Sequence, residues 1–247
     1  MSKTDLVIET VLLAGKIMIE NGADMSRVDD TLRRIAQNAG IRKPRIFETT
    51  TGLIMSIQGT SESQVQSINK RRIDLERISR VNDASRAFQA KAITLEEMYH
   101  YLEELDKCKL DFNPLLKIAA AGVIGGTLEV VYGGCWSDMF LTMVISALGY
   151  GCYSVLAYFF HTLFASEFIA AVIIGIFGVF ITAIHVGKDM GMIIIGSIMP
   201  LVPGVLLTTA VRDLLAGHIL SGASRTVEGL ITACALGMGI AVVLRFV

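Results

Sequence analysis

From Leu6 to Asn21 the apolar residues fall at helical spacing (Leu6, Val7, Val11, Ala14, Met18), and Gly22 closes the run. That period predicts an amphipathic helix with a glycine at its C-terminus. A second stripe, Val28, Leu32, Ile35 and Ala36, ends at Gly40. Ser26 is its expected N-cap, with Asp29 near the positive end of the helix dipole. The pattern then changes. "RIFETTTGLIMSIQG" is β-branched and aromatic, with Thr51-Gly52 between two runs, which predicts a short hairpin. "SQVQSINKRR" adds a third strand, and its Lys70–Arg72 reads as a solvated strand end. Helical spacing returns over Asp74–Ala90 and Thr94–Lys107, the latter opened by a Thr94-x-x-Glu97 capping box. Residues 1–114 are expected to form a small α+β domain.

Beyond Pro114 the polar positions almost vanish. Met139–Phe160 and Met190–Val211 contain no charge, and a helix needs about 20 mostly apolar residues to cross the hydrocarbon core. Five spans are expected, at roughly 115–136, 138–160, 166–186, 189–211 and 226–246. The fold class is an α-helical polytopic membrane protein, residues 115–247, behind an N-terminal cytoplasmic domain.

Composition sharpens that division. Of the 45 charged residues, 34 lie in residues 1–114, whereas 18 of 23 glycines lie from Gly122 onward. The net charge of −1 therefore averages a water-facing half and a lipid-facing half. Lys3, Asp5 and Glu9 leave no room for a signal-peptide h-region, so the leading domain is expected to stay in the cytoplasm of a cell-membrane protein. With that orientation Arg212 and Arg225 lie inside, although Lys188 and Arg245 fall outside. Four cysteines without C-x-x-C spacing predict no metal site, disulfide framework or cofactor. His100 is the sole histidine of the first 114 residues, and no G-x-S-x-G or phosphate loop accompanies it. An enzyme is not expected, nor is nucleic-acid binding. A membrane-anchored enzyme or sensor acting through residues 1–114 is the alternative from another class.

Chemistry concentrates in "SIMPLVPGVLLTTAVRD", Ser197–Asp213. A proline inside a helix removes a hydrogen bond and clashes with the preceding turn, at about 3 kcal/mol. Pro200 and Pro203 are expected to end one half-helix near Met199, and Gly204 permits the turn before the helix resumes. Pro200 denies the Gly196 carbonyl its amide, and Pro203 denies that of Met199. Carbonyls at one end and amides of Gly204–Leu207 at the other would suit a zwitterion, as in the broken helices of secondary transporters. Thr208 and Thr209 are placed to recognise a substrate hydroxyl. A kink repaired by neighbouring helices is the competing reading. Ionisable residues within spans cost about 2.5–3.5 kcal/mol at the centre and usually face a cavity or partner. Glu129, Arg212, Asp213, Arg225 and Glu228 are the coupling or gating candidates. Arg212-Asp213 and Arg225-x-x-Glu228 flank one loop, where they could pair as a clamp. His161, His185 and His218 sit at span ends, as interfacial residues do.

"PLVPG…AVRDLLAGHILSGASRTVEGL" resembles the signature of the threonine/serine exporter family, and "ENGADMSRVDDTLRRIAQNAG" with "ETTTGLIMSI" is similar to its amino-terminal motif. The resemblance implies export of a small polar metabolite, L-threonine or L-serine, driven by an ion gradient. Pro200, Pro203, Gly204, Arg212, Asp213, Gly217, Gly222, Arg225 and Glu228 match the motif. His218 departs from it, since relatives often carry an acid there. Single-chain members carry about five further helices. The chain therefore resembles the larger subunit of split members, some of which are linked to succinate export. A second five-helix subunit is the implied partner, with a homo-oligomer or a dicarboxylate substrate as the alternatives.

Overall fold

The computed structural model describes residues 3–57, 63–70, 72–108, 112–160 and 164–246. His161 and Arg71, singled out above, lie outside them. The chain is mostly helical and divides into two compact units: Met1–Lys109 with Val205–Val227, and Leu110–Gly204 with Glu228–Val247.

The first unit opens with α1 (Lys3–Glu20) and α2 (Met25–Asn38), separated by a turn at Gly22, whose φ of 88° suits a residue without Cβ. The cap of α2 is Asp24 rather than Ser26. Its backbone is extended, and its carboxylate accepts the Arg27 amide at 3.0 Å. An ionised cap also meets the positive helix end, which a serine hydroxyl does not. Val28, Leu32, Ile35 and Ala36 are buried as their spacing requires. Strands β1 (Pro44–Glu48), β2 (Gly52–Ile57) and β3 (Ser63–Ser67) form an antiparallel sheet in that order, with Phe47 opposite Ile54 and Ile54 opposite Val65. Leu53 and Met55 point inward, and Gly15 lets α1 lie against Leu53 and Leu32. Then come α3 (Leu75–Gln89), capped by Asp74, and α4 (Leu95–Lys107), whose Thr94–Glu97 capping box is fully formed. Two later helices contribute to this unit: α9 (Gly204–Leu215) and the first turns of α10 (Ile219–Leu244).

The second unit contains α5 (Pro114–Val131), α6 (Met139–Phe160), α7 (Ala165–Ala183), α8 (Met190–Ile198), a 3-10 turn at Met199–Leu201 and the rest of α10. Close approach between helices is bought by glycine. A Cβ on Gly122 would stand 2.8 Å from the Met143 carbonyl oxygen, and one on Gly126 would stand 2.7 Å from that of Met139, both on α6. Ile145, Ala170, Ala171, Ile174, Ile193, Leu201 and Leu236 make the buried centre.

Four helices, α5, α6, α7 and α10, are long and apolar enough to cross a membrane, or up to five spans if Met190–Leu201 and Gly204–Leu215 count as one interrupted span. Phe140, Val155, Phe180, Leu230 and Val242 point outward. Such a surface suits lipid rather than water. The last helix begins at Ile219, well before the expected Thr226, so Arg225 and Glu228 lie inside α10 rather than beside a loop. Their polarity had marked them as loop residues, but a helix carries polar groups wherever protein covers them.

Candidate functional site

Backbone chemistry at the interruption follows from its prolines. The Gly196 carbonyl, denied an amide by Pro200, accepts the Met199 amide instead. The Met199 carbonyl, denied by Pro203, accepts the Val202 amide at 3.2 Å. Both are thus engaged by bonds three residues long rather than left bare, and each keeps a second lone pair. Val202 is extended (ψ 130°), and Gly204, whose amide meets the Val202 carbonyl at 2.8 Å, opens α9. The first amides of α9 have no acceptor within their own helix. Thr208 and Thr209 hydroxyls both donate to the Val205 carbonyl, at 3.0 and 2.7 Å. A hydroxyl that donates can also accept, and Thr209 carries that capacity beside Thr208.

Glu129, near the end of α5, is fully buried, and neither carboxylate oxygen has a hydrogen-bond partner among the described residues. Its side chain folds against Gly134 in the turn after α5 and against Gly196 of α8. Asp138, equally buried, is the opposite case. One of its oxygens accepts the Lys188 and Asp189 amides at 2.8 and 3.0 Å, and the other accepts the Ser137 hydroxyl at 3.0 Å. Asp138 thereby ties the α5–α6 turn to the α7–α8 turn with its charge compensated. Apart from the nearby Cys135 amide, Glu129 has no such compensation, and a buried carboxylate calls for a cation or a proton. Among the described residues no group of three or more His, Cys, Asp or Glu is placed to hold a metal ion.

Arg212, Asp213 and Arg225 converge elsewhere, on the turn between α1 and α2. The buried Asp213 carboxylate accepts the Met25 amide at 2.8 Å, satisfying an orphan donor at the start of α2. Arg225 donates to the Ala23 carbonyl at 2.7 Å and faces Asp213 at 3.4 Å, with both side chains almost wholly enclosed. Arg212 reaches the Asp24 carboxylate at 3.3 Å from an exposed position. Three consecutive residues, Ala23, Asp24 and Met25, are held by one helical hairpin. Glu228 lies further along α10, its carbonyl accepting the Thr232 hydroxyl at 3.0 Å.

The hairpin depends on two glycines. Gly217 (φ 88°) ends α9, and the His218 amide returns to the Asp213 carbonyl at 2.9 Å. At Gly222 a Cβ would stand 2.6 Å from Leu214 Cγ and 2.9 Å from its backbone nitrogen. Gly222→Ala is therefore expected to splay the hairpin at a cost of about 1–3 kcal/mol, seen as a lower melting temperature in detergent. An unchanged melt would mean the turn yields freely.

Asp24, Met25 and Asp138 were not picked out as functional by sequence. The first two lie within the quoted "NGADMS", a signal of position rather than of role. Asp138 stands as a lone acid just before an apolar run. The ThrE family model, described as "Putative threonine/serine exporter", matches residues 9–247, nearly the whole chain and both compact units. The chain belongs to the ThrE family. No curated protein and no solved structure matches it. In this ThrE protein the stretches that carry the family resemblance are the ones that meet in space: the α1–α2 turn and the α9–α10 hairpin. ThrE is a family of transporters, and the apolar helices of this member fit a multi-pass membrane protein.

Proposed function

We propose that this ThrE protein is a subunit of a secondary exporter that moves L-threonine and L-serine out of the cytoplasm in exchange for protons. It sits in the cell membrane with its amino-terminal domain on the cytoplasmic side. The observation that carries the reading is the interrupted apolar pair Met190–Leu201 and Gly204–Leu215 within a full-length family match. Pro200, Pro203 and Gly204 hold the interruption open. The substrate carboxylate is taken by the first amides of α9, Val205–Leu207, where backbone donors and the helix dipole favour an anion. Thr208 and Thr209 accept from its hydroxyl. Glu129 is the coupling group, binding a proton in one direction of the cycle.

With the bent pair counted as one span the total is five, an odd number that suits pairing with an inverted second set, so the partner is a further unit of about five helices. A dicarboxylate would need a second cation. Arg212 and Arg225, the arginines that follow the interruption in the chain, already hold the α1–α2 turn, Arg225 on Asp213 and Arg212 on Asp24, which favours the zwitterionic amino acid.

The test loads vesicles containing this chain and its partner unit with threonine, serine or succinate, and follows efflux with and without a proton gradient. Threonine and serine should leave, faster with the gradient. Pro203→Ala should insert but export slowly, and Glu129→Gln should export at a rate indifferent to the gradient. Efflux of succinate alone would overturn the substrate, and full gradient dependence in Glu129→Gln would remove it from coupling.

A further inference from the structure

The α9–α10 hairpin meets the amino-terminal domain at a second place, where the chemistry differs from that of the Asp213–Arg225 pair. Glu48, the last residue of β1, is almost wholly enclosed, and one of its carboxylate oxygens has no hydrogen-bond partner. The other lies 3.8 Å from Nδ1 of His218, the turn residue between α9 and α10. Two residues along, the Thr50 hydroxyl donates to that of Ser224 at 3.4 Å, a weak contact. From α2, Asp29 and Arg33 also face Glu48. Arg33 is engaged by both oxygens of Asp29, at 2.6 and 2.7 Å, so its charge is largely neutralised before it reaches Glu48. The group that the hairpin brings to Glu48 is His218, 3.8 Å away.

We propose that Glu48 and His218 form a proton-operated latch, which fastens the α9–α10 hairpin to the amino-terminal domain in acid and loosens it as the surrounding solution is brought to neutrality. The latch is independent of which solute is exported. Burial, with the charge of Asp29 added, pushes the Glu48 carboxyl up to about 7, against the opposing pull of Arg33. Released into water it would titrate at about 4.5, the ordinary value. Between these two values the docked state holds a proton that the released state has lost. Docking therefore weakens as pH rises through this window and levels off above about 7. The consequence reaches α9 directly, because the latch sits at the turn that ends it.

Hydrogen exchange on the full chain in nanodiscs reads the latch without any transport. The reporter is the peptide spanning Gly22–Val28, because the Met25 amide bonds to Asp213 only while the hairpin is docked. After correction for intrinsic exchange, its protection should fall by up to about tenfold per pH unit between pH 5 and 7, one proton's worth, and then flatten. Glu48→Gln, neutral at every pH, should stay protected throughout. His218→Gln removes the contact but not the titrating carboxyl, so it should lower protection while leaving the slope. Protection that is flat with pH in the unmodified chain, or a slope that survives Glu48→Gln, would overturn the proposal.

Discussion

Replacing Asp213 with alanine is expected to release the amino-terminal turn from the hairpin and to raise trypsin cleavage after Arg27 by roughly a hundredfold or more, as an opened state becomes populated. Two buried groups lose a partner at once. The Met25 amide, which Asp213 accepts at 2.8 Å, becomes an unsatisfied donor at the head of α2. The Arg225 guanidinium, with its side chain only 6% exposed, loses the carboxylate 3.4 Å away. Removing one member of a buried ion pair costs about 3–5 kcal/mol, mostly because the other charge is stranded. Asp213→Asn keeps an acceptor for Met25 and should lose only about 2 kcal/mol, the difference between a charged and a neutral hydrogen bond together with the weakened pairing. The double variant Asp213→Ala/Arg225→Ala should cost less than the sum of its parts, since neither charge is then left alone. Cleavage unchanged in Asp213→Ala would show that the hairpin is held by packing, with the carboxylate incidental.

Gly196→Ala is the other large effect expected, in the second unit. A Cβ there would stand 2.6 Å from Glu129 Cβ, 2.8 Å from the Gly125 carbonyl oxygen and 2.8 Å from Thr142 Cγ2. Glu129 Cβ and the Gly125 carbonyl belong to or adjoin the α5 backbone, so no rotamer change relieves them. α8 has to move off α5. Overpacking of this kind costs about 1–3 kcal/mol, and more for Gly196→Val. Gly237→Ala is the matched control within α10, because a Cβ there meets nothing within 4 Å. That change should be neutral or stabilise by up to about 1 kcal/mol through helix propensity. Thermal unfolding in detergent checks both, and equal melting points would mean that the α5–α8 contact is loose.

Much of this fold was legible because its signals are local. Proline's missing amide announced the interruption, and Gly22 and the Thr94–Glu97 box marked helix ends by chemistry that needs no distant partner. Asp24 and Ser26 were two capping residues two positions apart, and the choice of Asp24 goes with contacts to residues 188 positions away. The same distance hid the role of the α9–α10 hairpin. Arg225 was read as flanking a loop because a polar helix face is read as solvated until the protein covering it is known. Glu48 was less legible still. As the last residue of a short strand it reads as a surface charge, and the groups that face it, on α2 and at His218, come from elsewhere in the chain. Within the candidate site, proline and glycine positions could be read directly, but the loss of the open carbonyls at Gly196 and Met199 to a 3-10 turn could not.

The first compact unit is assembled from residues 1–109 and 205–227, which are separated in the chain by most of the second unit. A ribosome makes the amino-terminal part first, yet the groups that complete it emerge only after four apolar stretches have been synthesised. Met25 and Ala23 must wait for Asp213 and Arg225. The first domain to begin translation thus cannot close until the intervening helices have been made.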